Sequence, residues 1–251
     1  MNINTVLICL FIYSFVGWLY ESIICSMINE RKIINRGFLI GPYVPIYGFG
    51  AVLVIQLFGN LSSLFQIFIY SMIICTTIEY ITSVVMEKMF NAIWWDYSNF
   101  PFNYRGRISL YASTLFGFLS VILINHAHPI IINNISTLPV SIQNALSVII
   151  LIILLTDLIL TLNAWTNFNN HLKTLHSSLN NVQSSNIDKI NQFVGNLITD
   201  EMADFGGDLV INIRNFNVTI KKNELRLISA FPKLKLKQYN SILTRIKKII
   251  K

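Results

Sequence analysis

Three carboxylates, Glu21, Glu79 and Asp157, lie inside long apolar stretches of the chain. An ionised side chain at the centre of a membrane helix costs at least ~2.5 kcal/mol, so each must face protein or water. Thr76, Glu79, Ser83 and Glu87 follow one another at i+3, i+4 and i+4, which places them on one helical face. Ser14, Gly17 and Glu21 form a similar small-and-polar stripe, and Ser109, Ser113 and Gly117 recur every four residues as a seam for close helix packing. Arg105 and Arg107 precede that seam, within reach of Glu79 and Glu87. Two chemistries fit this set. Buried Glu–Arg pairs, Arg107 with Glu79 or Glu87, can lock a bundle; alternatively, Glu21, Glu79 and Asp157 line a polar cavity that binds a cation or carries protons.

The elements that must hold these groups are membrane helices. The chain of 251 residues is 53% hydrophobic and 12% charged, with a mean hydropathy of +0.57, whereas a soluble domain is about 25% charged. Five stretches approach the ~20 apolar residues that span a bilayer core, at 5–28, 43–58, 64–86, 108–125 and 146–165. The second is short and carries Pro45, Gly48 and Gly50, as a re-entrant or broken helix would. Charge placement favours a full crossing. Arg31, Lys32 and Arg36 follow the first stretch and Lys88, Arg105 and Arg107 follow the third, while 59–63 and 126–145 hold no Lys or Arg. Five crossings therefore put every basic residue on one side, with the N-terminus outside and the C-terminus in the cytoplasm. At 1.5 Å per residue, Glu21 lies roughly 24 Å, Glu79 roughly 22 Å and Asp157 about 17 Å from the outer ends of their spans. The first stretch lacks a basic leader and a small-x-small cleavage site, so it is expected to be a retained helix.

The expected architecture is thus all-α: a polytopic transmembrane domain over 1–165 and a mixed, partly helical, basic cytoplasmic tail over 166–251. The tail holds thirteen Lys/Arg against six Asp/Glu and carries the whole +7 formal charge. Residues 209–220 alternate as strands do, and 233–251 place Tyr239, Ile242, Leu243, Ile246, Ile249 and Ile250 at helical spacing with lysines opposite. Such a helix can rest on anionic lipid, dock a partner, or pack on its own neighbours.

Cys9, Cys25 and Cys75 sit in apolar stretches without metal or disulfide spacing, and no P-loop, H-E-x-x-H or G-x-S-x-G occurs. His126 and His128 are expected in a solvated outer loop. No cofactor, bound metal, enzymatic activity or nucleic-acid partner is expected.

Three segments are more particular. In RGFLIGPYVPIYG (36–48), Pro and Gly mark a turn into the second helix; its free N–H groups with Arg36 are a candidate anion site, a plain turn the alternative. EYITSVVMEKMF (79–90) is the second. The third runs from WWDYS (94–98) through PFN (101–103) to GRI (106–108). Trp94, Trp95 and Tyr97 suit an interfacial aromatic belt, and Asp96 and Asn103 can cap or line a site. Together, over roughly 17–117, these segments resemble the bacterial family named for ABC-transporter permeases of the CmpB type. The resemblance implies a multi-pass protein of the bacterial cytoplasmic membrane, a permease subunit of unknown substrate. Embedded in lipid and without a P-loop, such a subunit would need a separate ATPase. Five helices are few for a complete path, so a homo- or hetero-oligomer would follow. The ATPase would dock on 29–42, on 87–107 or on the tail. Two other readings stand beside it: a carboxylate-dependent secondary transporter or channel, and a membrane scaffold or regulator acting through the basic tail.

Overall fold

A computed structural model describes residues 1–183, 209–213 and 216–250. Helix α1 starts at Ile3, where the Asn2 side chain accepts the Thr5 N–H at 2.8 Å. It runs as α-helix over Ile3–Leu19, widens into a π-helical turn at Tyr20–Cys25, and resumes over Ser26–Glu30. Helix α2, Pro45–Phe58, opens on Pro45, whose missing N–H costs nothing in a first turn. Helix α3, Leu64–Phe90, is capped by Ser63 and ends on Asn91 in the left-handed conformation. Helix α4 begins at Leu110 under the Ser109 cap, passes a π-helical turn at Leu123–Ala127, and continues over His128–Ser136. Helix α5 covers Val140–Gln183, 44 residues.

Four helical segments are long and apolar enough to cross a membrane, Ile3–Ile28, Leu64–Phe90, Leu110–Ser136 and Val140–Ser177, while α2 is a shorter apolar helix. Two of them outrun their expected ends. The expected outer loop at 126–145 is largely helical, because Asn125 and Asn134 donate to the carbonyls of Val121 and Ile130 one turn back and so satisfy themselves within the helix. Helix α5 runs through position 165 without a break. Trp165, Phe168, Leu172 and Leu175 continue one apolar stripe at i+3 and i+4, and all four are buried.

That stripe seeds one of two cores. In the membrane-side core, Ile8, Cys9, Leu10 and Tyr13 of α1 meet Val52, Val54 and Ile55 of α2 and Ile67 of α3. The second core joins the ends of α3 and α5 to helix α6, Lys222–Ala230, and helix α7, Asn240–Ile250. Strand β1 (Ala92–Ile93) pairs antiparallel with β6 (Lys235–Leu236), and β2 (Asn103–Tyr104) pairs with β3 (Ile108–Ser109). The alternating stretch is two strands, β4 (Leu209–Ile213) and β5 (Phe216–Ile220), paired antiparallel. Ile242, Leu243 and Ile246 of α7 face inward at 8% exposure or less, so its apolar face is spent on the chain itself rather than on lipid. Ile249 and Ile250 have no described side chains.

Trp94 does not stand in an interfacial belt. Trp94 is 3% exposed, with the Phe38, Phe90, Trp165 and Phe231 rings at centroid distances of 4.8–5.5 Å. Phe231 of the tail helps remove the Trp94 ring from the surface; a belt residue needs one face left toward lipid.

Candidate functional site: three carboxylates and their partners

Each intramembrane carboxylate meets a different environment. Asp157 is saturated. Its Oδ1 accepts the Ile40 N–H at 2.8 Å and the Thr161 hydroxyl at 3.0 Å. Its Oδ2 accepts the Gly41 N–H at 2.7 Å and the Tyr43 hydroxyl. The segment from Gly37 to Tyr43 therefore folds into the bundle, and Val44 N–H reaches Ser14 O at 2.9 Å. The anion that the turn receives is the protein's own Asp157, and Arg36 takes no part. From the tail, Arg226 donates to the carbonyls of Gly37 at 3.2 Å and Phe38 at 2.8 Å and lies in the field of Asp157. Its burial lowers the guanidinium pKa from the usual value, and Asp157 opposes that shift. Donors on one face of the loop's backbone and acceptors on the other are thus both used.

Glu21 and Glu79 are held differently. Tyr47 of α2 donates to Glu21 Oε1 at 2.6 Å, and Tyr97 of the loop after α3 donates to Glu79 Oε1 at 2.9 Å. Tyr47 can come so close because Gly17 faces it: a Cβ on Gly17 would stand 2.4 Å from the Tyr47 ring. Tyr97 reports on both acids. Burial pushes its phenol well above the ordinary range, with the Glu79 and then the Glu21 carboxylate adding to the shift. Glu79 is 7% exposed, and its Oε2 has no hydrogen-bond partner among the described residues.

The remaining charges form an ionic rim. Arg107 pairs with Glu87 and donates to Ser83 Oγ at 3.3 Å; the alternative pairing with Glu79 is not made. Lys237 approaches the other Glu87 oxygen at 2.9 Å, and Lys235 approaches Asp96 at 2.6 Å. The Lys235 ammonium, helped by Ser98, holds the Asp96 carboxyl down at about 2. Asn103 shapes the turn by donating to Phe100 O at 2.8 Å and accepting from Gly106 N–H at 3.0 Å. Arg105 stacks over the Tyr104 ring at 5.3 Å. Arg36 closes the π-helical turn of α1, with its N–H on Ser22 Oγ at 3.0 Å and its Nε on Ser26 Oγ at 2.8 Å. His128 hydrogen-bonds Tyr13 at 2.8 Å, and no cluster of three or more His, Cys, Asp or Glu suited to a metal occurs among the described residues.

Residues 8–162 match the family model described as "Putative ABC-transporter type IV". The chain belongs to this family. No curated protein and no solved structure matches it. The matched segment holds all three intramembrane carboxylates and every expected site residue, whereas Arg226, Lys235 and Lys237, which brace the site from the tail, lie beyond it. The sequence reading missed the partners Tyr43, Tyr47, Tyr97, Thr161 and Arg226. Thr161 was within reach of it, since i+4 from Asp157 is the same helix face; the tyrosines and Arg226 come from other elements and carry no local signal.

Proposed function

We propose that the chain is the permease subunit of a bacterial transporter powered by a separate ATPase, placed in the cytoplasmic membrane in two or more copies per complex. Family membership over 8–162 carries the reading, and the burial of acidic and phenolic side chains inside an otherwise apolar bundle supports it. The chain crosses five times with its N-terminus outside. Helix α2 has 14 residues, or about 21 Å, short of the ~30 Å core. The loop at 37–43 makes up the difference, since its amides already stand at the level of Asp157 inside α5.

The tail occupies much of the connection after α3, through the β1–β6 pairing and the Lys235–Asp96 and Lys237–Glu87 pairs. An ATPase approaching that end meets α6 and α7 as well as the loops. Purification from the native membrane in mild detergent, followed by mass spectrometry, tests the reading. A stoichiometric ATPase is expected; recovery of the chain without one overturns it. Accessibility tests the crossings: in a cysteine-free background, a thiol at Asn60 reacts with an impermeant reagent from outside, and one at Asn99 only after the membrane is opened.

A further inference from the structure

Asp157 has four donors and a guanidinium in its field. Glu87 has Arg107 and Lys237, Asp96 has Lys235, and Glu224 has His171 at 2.9 Å. Among the described acidic side chains, Glu21, Glu79 and Asp157 form no ion pair, and of these three Asp157 has four hydrogen-bond donors in its place. Glu21 and Glu79 lie within Coulombic reach of each other, and each has one oxygen held by a phenol.

Two neighbouring carboxylates in a poorly solvated site do not both stay ionised without a compensating cation. Arg107 cannot supply it, because its guanidinium is committed to Glu87 and Ser83. Arg36 forms no ion pair with either carboxylate; its Nε donates to the Ser26 hydroxyl at 2.8 Å. The other titratable groups that face the pair, Tyr20, Cys25, Tyr47, Cys75 and Tyr97, are neutral when protonated and negative otherwise. A second, independent feature lies within the pair. Glu79 is more than nine-tenths buried, and its Oε2 is an acceptor with nothing to accept.

We propose that Glu21 and Glu79 together form a proton-binding site, in which one exchangeable proton is carried on Glu79 Oε2 and stabilised by the Glu21 carboxylate. The proton turns the orphaned acceptor into a hydroxyl donor and reduces the charge of the pair from two negatives to one. The phenols of Tyr47 and Tyr97 already point their own protons at both carboxylates, an arrangement that suits a proton better than a metal ion, which needs several free oxygen lone pairs. Glu21, only partly buried, is the side from which the proton exchanges. The site goes beyond the transporter reading and stands or falls without it, because its test needs no ATPase.

The experiment is infrared difference spectroscopy of the full chain in lipid nanodiscs, titrated between about pH 5 and pH 9 across the range where carboxyls with raised pKa values lose their protons. The expected result is a carboxylic-acid C=O band that disappears as pH rises and is missing in Glu79→Gln. In Glu21→Gln the midpoint of that band falls by about one unit or more, since the neighbouring negative charge is gone. Should Glu79→Gln fail to fold, the wild-type band and its shift in Glu21→Gln decide alone. Absence of a titrating band, or a midpoint unmoved in Glu21→Gln, overturns the proposal. A midpoint that moves with sodium or magnesium at constant ionic strength overturns it in favour of a metal-ion site.

Discussion

Asp157 on α5 binds the backbone N–H of Gly41 at 2.7 Å across 116 positions of sequence. This one contact pins the start of α2 inside the bundle, and through Arg226 it ties the tail to the same loop. Replacing Asp157 with Ala leaves the part-buried Ile40 and Gly41 amides without acceptors, at up to about 1–3 kcal/mol each. Asp157→Asn keeps one carbonyl acceptor and is expected to lose less. Thermal unfolding in detergent should rank the wild type above Asn and Asn above Ala; equal midpoints for the two variants would contradict the account.

Helices α1 and α2 touch through Gly48. A Cβ there would stand 2.2 Å from Ser14 Oγ and 2.3 Å from the Leu10 carbonyl oxygen, and the backbone oxygen cannot rotate away. Gly48→Ala is therefore expected to destabilise by about 1–3 kcal/mol, as overpacking does. Gly50→Ala is the control, because its new Cβ would meet nothing closer than Cys75 Sγ at 3.8 Å. The comparison is read from denaturation midpoints of the two variants.

The partner of Arg107 is Glu87. Double-mutant cycles with Gln replacements should show a coupling of about 0.5–3 kcal/mol between Arg107 and Glu87 and under about 0.5 between Arg107 and Glu79. Comparable coupling at Glu79 would mean that the guanidinium reaches further into the bundle than its contacts with Ser83 and Glu87.

Acid should loosen the tail through Asp96. Its carboxyl is held at about 2 by Lys235, below the unfolded value of about 3.9. A depressed folded pKa contributes stability above the unfolded value and loses it as pH falls through the folded one. The contribution is complete above about pH 4 and fades toward about pH 2. Lys235→Met should flatten this acid loss and lower neutral-pH stability by the same amount, a small one because the lysine is 55% exposed. Melting curves of both proteins across that range provide the check.

Local pattern made much of the fold legible. The apolar blocks announced the helices, the i+3/i+4 row placed Glu79, Ser83 and Glu87 on one face, and the alternation at 209–220 announced extended strand. These features depend on the repeat of the backbone itself, 3.6 residues in a helix and two in a strand, so a short window of sequence contains them. The ends of α4 and α5 were less legible because polar residues such as Asn125 and Asn134 satisfy themselves within a helix and do not stop it.

The partners of the carboxylates were decided by tertiary structure. Glu79 bonds Tyr97 rather than Arg107, Asp157 bonds a loop 114 to 117 positions away, and Trp94 is enclosed by rings from four other segments. Composition and periodicity state that a buried carboxylate needs donors, but they do not state which donors arrive. That depends on how the loops at 37–43 and 91–109 and the tail fold back, and the energy of each pairing exists only once both partners have left water together.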